Sequence, residues 1–210
     1  MGARCLRAPD LGELSVEDLL LTASSFDLLR SFPDELQAAA FDVIELAREG
    51  APVEARQCHS LRVGLETLDF PCRVYISHRQ LEDAALEWSG VRRKIAFCLG
   101  TRHHDGFYRE SCLRRLGPLD AEWKVAFACL LLGDYVIEIA NLAAQHLLAA
   151  PAELTYTFFA NNAAVIEAQR RRAISYWDCY YRPAVARYTE LPVIACIDTL
   201  LARSQLPLTP

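Results

Sequence analysis

The chain has 210 residues, 52% of them hydrophobic, and a formal charge of −5. That is enough apolar material for one sizeable core, which excludes global disorder, and the length fits one domain. The acidic balance argues against a general nucleic-acid binder, whose phosphate contacts need a basic face. The apolar runs are too short and too closely flanked by charge to span a bilayer.

Residues 1–14 read as an irregular lead-in. Arg4, Arg7, Asp10 and Glu13 interrupt any apolar segment there, so no signal peptide is expected. Ser15-Val16-Glu17-Asp18 opens a short helix reaching about Leu21. A second helix is predicted from Pro33, a favoured first-turn residue, to Glu49. It places Leu36, Ala40, Val43, Ile44 and Ala47 on one face and stops at Gly50. Residues 60–76 change period. Leu61, Val63 and Leu65 alternate with Arg62, Gly64 and Glu66, and Phe70, Cys72, Val74 and Ile76 alternate with Pro71, Arg73 and Tyr75. Period two predicts a β-hairpin turning around Thr67–Asp69, with Pro71 on an edge. A lone hairpin is marginal and must pack on helices. Helices follow at about 79–87 and 91–99, and Thr101–His104 forms a polar loop.

Residues 105–148 read as three consecutive helices. Asp105 is placed to cap the first, which carries Tyr108, Cys112, Leu113 and Leu116 on one side and Glu110 four residues before Arg114, the favourable order for an ion pair. Gly117-Pro118 stops it. Asp120 caps the second, which is apolar from Trp123 to Leu132 except at Lys124, so it must be covered on several sides. Gly133 breaks the run and Asp134 caps the third. There Asp134, Glu138, Asn141 and Gln145 fall on one narrow polar stripe. Pro151 then starts a shorter helix, and Asn161-Asn162 marks a junction. A long helix over 163–181 carries Arg170–Arg172 and the aromatic cluster around Tyr176, Trp177, Tyr180 and Tyr181, until Pro183. A last helix covers about Leu191–Arg203, followed by a frayed tail.

Two of these helices start alike, with Asp105-x-x-Tyr108-Arg109 echoed by Asp134-x-x-Ile137-Glu138. An Asp, an apolar residue at +3, a basic residue at +4, then a small residue and a Leu is similar to the second helix of a HEAT-type repeat. Asp105, Tyr108, Arg109, Cys112 and Leu116 fit. Glu138 stands where that family has Arg or Lys, and Gln145 where it has Leu. The resemblance extends over about residues 91–182. It implies a curved stack of antiparallel helix pairs, whose usual use is binding proteins. In such a stack Asp105, Arg109, Asp134 and Glu138 form a structural ladder between adjacent repeats.

Three motifs invite chemistry. His103-His104-Asp105 resembles the metal set of HD-type phosphohydrolases, with His78 as an upstream ligand and Asp134 or Asp178 downstream; two histidines and two carboxylates suit a divalent metal that activates water. Against it, the pair sits in a loop and Asp105 already has a capping role. Arg170–Arg172 beside Tyr and Trp is a pattern that grips nucleic acid by charge and stacking, but the same rings suit packing or a protein interface. The basic residues are almost all arginine, with lysine only at Lys94 and Lys124. That reflects a GC-rich, bacterial genome or marks bidentate recognition of carboxylate or phosphate. Cys58-His59 are sequence neighbours whose side chains point apart, and no nucleophile elbow, phosphate-binding glycine loop or dinucleotide fingerprint is present. The eight cysteines lack any C-x-x-C spacing and read as free thiols.

The expected fold is mainly α: an irregular HEAT-like stack of antiparallel helix pairs with one small β-hairpin near residues 60–76. It forms a single domain, with 1–76 as N-terminal helices plus hairpin and 77–210 as the main stack. The expected function is a non-enzymatic cytoplasmic protein-binding module, of inhibitor or immunity type, without a cofactor. It holds a protein partner through Asp134, Glu138 and Asn141 and through Arg171, Trp177 and Tyr180. The alternatives are a metal-dependent phosphohydrolase using His103, His104 and Asp105, and a nucleic-acid-binding helical-repeat protein.

Overall fold

The computed structural model describes residues 27–48 and 54–205. The short helix expected at 15–21 and the tail after Gln205 lie outside the described residues. Two 3-10 turns, Leu28–Ser31 and Asp34–Leu36, lead into α1 (Gln37–Arg48). The Gln37 amide ties them together by donating to the carbonyls of Leu29 at 3.0 Å and Phe32 at 2.7 Å.

Strands β1 (Glu54–Val63) and β2 (Glu66–Tyr75) form the antiparallel hairpin, paired Leu61↔Leu68, Arg62↔Thr67 and Val63↔Glu66. The reversal is therefore at Gly64-Leu65 and not at Thr67–Asp69. Gly64 adopts φ 57°, a left-handed conformation that residues with a Cβ resist. Leu65, which continued the apolar alternation, sits on the tip and is 91% exposed. β2 has a second neighbour beyond the hairpin. Val74 donates to the Arg102 carbonyl at 2.9 Å and accepts from the His104 amide at 3.2 Å, so the loop after α3 docks along the strand.

The remaining helices are α2 (His78–Glu87), α3 (Gly90–Gly100), α4 (Gly106–Leu116), α5 (Glu122–Cys129), α6 (Ile137–Ala149), α7 (Ala152–Asn161), α8 (Ala163–Tyr176) and α9 (Pro192–Ser204). A π-helical turn, Trp177–Tyr181, extends α8. α1 packs on α2 and α3, α3 on α4, α4 on α6, and α5 on α6, α7 and β1; α9 returns to cover α6, α7 and α8. The protein is thus mainly α-helical, with a small antiparallel hairpin set against the helices.

α5 is buried all round, as its sequence requires. Phe127 at its centre meets Phe70 of β2 edge-on at 5.0 Å and Phe32 at 5.4 Å, while Phe32 also meets Trp123 at 6.0 Å. Hairpin, N-terminal turns and central helix therefore share one core. Lys124, the lone charge of α5, is buried, donating to the Pro118 carbonyl at 2.6 Å and pairing with Asp120. Polar clamps fix the hairpin from the other side. Asn162 accepts from the Arg62 amide at 2.7 Å and donates to the Arg62 carbonyl at 2.8 Å, and the Gly64 amide donates to Glu122. No described helix is long and apolar enough to cross a membrane.

Two further expectations are corrected. α5 ends at Cys129 and α6 begins at Ile137, so residues 130–136 form a longer break than Gly133 alone. The thiols are also not all free. Cys98, Cys112, Cys129 and Cys196 are buried thiols and Cys179 an exposed one, but Cys72 is disulfide-bonded.

Candidate anion-binding pocket

The break between α5 and α6 places Asp134 against the loop docked on β2, and arginines gather around it. Arg109 on α4 is fully buried. Its Nε and Nη2 donate to the two Asp134 oxygens at 3.0 and 2.9 Å, and its Nη1 donates to the carbonyls of His103 and His104. This bidentate pair is the strong geometry for arginine and carboxylate. Arg73 on β2 donates to Asp134 Oδ2 at 3.1 Å and to the Cys72 carbonyl at 2.9 Å. Arg102, 3% exposed, donates from Nε to the Pro71 carbonyl at 3.0 Å and from Nη2 to the Cys72 carbonyl at 2.8 Å. Its Nη1 is buried with no hydrogen-bond partner among the described residues.

These groups open onto a cavity of about 160 Å³, lined by Arg73, Arg102, Asp134, Tyr135, Arg172 and Tyr176 together with Gly133. Arg172, on α8, is exposed at the rim. Three arginines and one carboxylate line this space, with Arg109 directly behind the carboxylate. The excess of positive charge is felt by Arg102, Arg73 and His59. Burial and then the repulsion of Arg73 bring Arg102 down to about 9. Burial and then Arg109 lower Arg73. Burial, then Arg102 and Arg172, hold His59 at about 4. Below Gly133 lies Gln169, fully buried, with neither amide atom hydrogen-bonded among the described residues. Its oxygen packs so tightly on Gly133 that a Cβ there would lie 2.3 Å away. Three arginines against one carboxylate leave the cavity an excess of donors and positive charge that suits an external oxyanion.

The aromatic rim is held by the π turn. The Tyr181 hydroxyl donates to the Tyr135 carbonyl at 2.9 Å and accepts from the Ile137 amide at 3.2 Å. Arg109 lies 5.5 Å from the Tyr135 ring centre, Tyr176 stands edge-on to that ring at 6.3 Å, and Tyr180 stacks on Tyr176 at 6.3 Å.

Of the residues expected from sequence to bind a partner, Asp134 lies in this pocket. It is the buried counterion of arginines and not part of a solvated stripe, and its place in the stripe is lost because α6 starts after it. Glu138 is exposed on α6 and Asn141 half-buried with an unpartnered Oδ1. Tyr180 is 66% exposed beside the rim. Arg171 is exposed. Trp177 is buried, donating from Nε1 to the Val185 carbonyl at 2.8 Å. Arg170 is committed to Asp198 at 2.7 Å, so the 170–172 run does not act as one basic face.

The His-His-Asp motif has local duties. His103 Nδ1 accepts from the Asp105 amide at 3.0 Å, which leaves Nε2 to donate to the Ile76 carbonyl at 2.6 Å. Both ring nitrogens are engaged, and burial holds its pKa below the usual value. Asp105 caps α4, accepting from the amides of Phe107 at 2.8 Å and Tyr108 at 3.3 Å. His104 is exposed and stacks on Tyr75 at 5.2 Å. Among the described residues no three His, Cys, Asp or Glu side chains are grouped to hold a metal ion. Nor is there a primed thiol among Cys98, Cys112, Cys129 and Cys196. Burial pushes all four up, Cys112 and Cys196 to about 12.

Sequence reasoning reached the Arg109–Asp134 contact as a ladder but not Arg73, Arg102 or Arg172 as a set. The one available signal was the near-exclusive use of arginine, the cation suited to bidentate oxyanion recognition. No protein-family model, curated protein or solved structure matches the chain.

Proposed function

We propose that the protein is a non-enzymatic binding module, built as a HEAT-like helical stack, that holds a partner protein by an anionic group seated in the arginine pocket. The observation that carries this is the cavity itself, where Arg73, Arg102 and Arg172 meet the single carboxylate of Asp134, so that positive charge exceeds negative. The HEAT-like reading is supported by the Arg109–Asp134 pair, which joins the two segments with similar starts. The buried thiols agree with a cytoplasmic setting, and the Cys72 disulfide counts against it. The two alternatives have no comparable support. His103 has both nitrogens engaged, Trp177 is buried on the Val185 carbonyl, and Arg170 is paired with Asp198 at the surface.

The test is thermal unfolding with increasing sulfate at constant ionic strength. A ligand at a hundred times its Kd stabilises the folded state by about 2.7 kcal/mol. The melting temperature is expected to rise with sulfate in the native protein and to stay flat in Arg172→Gln, a substitution at an exposed position. No response to sulfate, or an equal response in both proteins, refutes the pocket as an anion site.

A further inference from the structure

The arginines and the tyrosines line one and the same small cavity, and this constrains what its ligand looks like. A cavity near 150 Å³ accommodates a group the size of benzene, and this one measures about 160 Å³. A space of that size seats the oxyanion against Arg102 and leaves a directly attached flat group at the rim, against Tyr135 and Tyr176. The charge at the site selects among oxyanions. Arg73, Arg102 and Arg172 line the cavity with Asp134, which Arg109 pairs from behind, an excess that a carboxylate's single charge leaves largely uncompensated. A phosphate monoester brings about −1.5 to −2 charges and three acceptor oxygens. Those acceptors match donors that come from β2 (Arg73), from the docked loop (Arg102) and from α8 (Arg172). The chain as a whole carries −5, so the positive region is local. It suits one compact dianion and not a polyanion, which needs an extended basic face.

We infer that the pocket takes an aryl phosphate, the side-chain chemistry of a phosphorylated tyrosine on a partner protein, with the phosphate on Arg73, Arg102 and Arg172 and the ring at the rim against the Tyr135–Tyr176 pair. This rests on the anion-pocket reading and goes beyond it by fixing both the oxyanion and the group attached to it. Tyr135 is suited to the role because it is 46% exposed while its backbone is pinned by Tyr181.

The experiment is isothermal titration of the full chain with phenyl phosphate, inorganic phosphate, benzoate and adenosine 5′-monophosphate. Phenyl phosphate is expected to bind about tenfold more tightly than inorganic phosphate, which has no ring to stack, and about tenfold more tightly than benzoate, which lacks the second charge. Arg172→Gln is expected to weaken phenyl phosphate at least tenfold, and Tyr135→Leu to bring the phenyl phosphate to inorganic phosphate ratio close to one. Equal affinity for phenyl phosphate and inorganic phosphate overturns the ring assignment and leaves the anion pocket standing. Benzoate binding as tightly as phenyl phosphate overturns the choice of phosphate. Adenosine monophosphate binding more tightly than phenyl phosphate points to a nucleotide and overturns the inference. Binding of none of the four overturns both this inference and the reading beneath it.

Discussion

Asp134 is the residue on which the arginine cluster depends. Its carboxylate is buried and receives Arg109 through two bonds and Arg73 through one. Removing one partner of a buried ion pair leaves the other charged and unsolvated, at a cost of about 3–5 kcal/mol. Asp134→Ala is therefore expected to lower the unfolding free energy by that order, read from the urea midpoint. His59 sets a pH dependence at the same place. Its folded pKa, about 4, lies below its ordinary value of 6.5. Between these limits the unfolded chain binds a proton that the folded chain refuses, so stability is complete above about 6.5 and declines toward pH 4. Melting temperatures measured from pH 7 to pH 4 should fall, and His59→Gln should flatten that fall over the same interval. Asp105 was legible in sequence because a cap is decided by the next few residues. Arg102 was not, because its acceptors are the carbonyls of Pro71 and Cys72 on β2, and a carbonyl acceptor leaves no mark on residue identity.

At the scale of elements, the hairpin shows how far periodicity reaches. Alternation identified it as β structure, since Leu61, Val63, Phe70 and Val74 do face the core. The same alternation ran unbroken through Leu65 and hid the turn, which is decided by the one residue there that tolerates a positive φ, Gly64. The hairpin's lodging was not legible either, because Asn162 clamps Arg62 across the fold. Asn162→Ala strips partners from both backbone groups of Arg62 and from the Phe158 carbonyl. A loss of about 1–3 kcal/mol per buried group left unsatisfied is expected, with the new amide exposure at Arg62 visible by NMR. The opposite case is α5, whose complete burial follows directly from a run with one charge.

At the scale of the molecule, Phe127 joins the N-terminal turns, the hairpin and the central helix through Phe32 and Phe70. Phe127→Ala should cost about 3–5 kcal/mol. A double-mutant cycle with Phe70→Leu should show coupling of about 0.5–1.5 kcal/mol, the range for aromatic pairs. A single cooperative transition by two probes would confirm that hairpin and helices unfold together. The mainly helical character was legible from breaks and apolar faces and from the one expected side-chain cap that forms among the described residues, Asp105, whereas the helices expected to start at Asp120 and Asp134 begin beyond them. The return of α9 over α6, α7 and α8 was not, because it depends on pairing faces that look alike in sequence. The Tyr181 bridge has a consequence of its own. The Ile137 amide opens α6, where the first N–H groups have no acceptor inside the helix. Left to water it would trade its proton for deuterium quickly, yet the phenol of Tyr181 occupies it and holds the Tyr135 carbonyl as well. Deuterium uptake at Ile137 should therefore be slow in the native protein and fast in Tyr181→Phe. It should slow further when the cavity beside Tyr135 is filled, so that one helix-end amide becomes a timer for occupancy of the pocket.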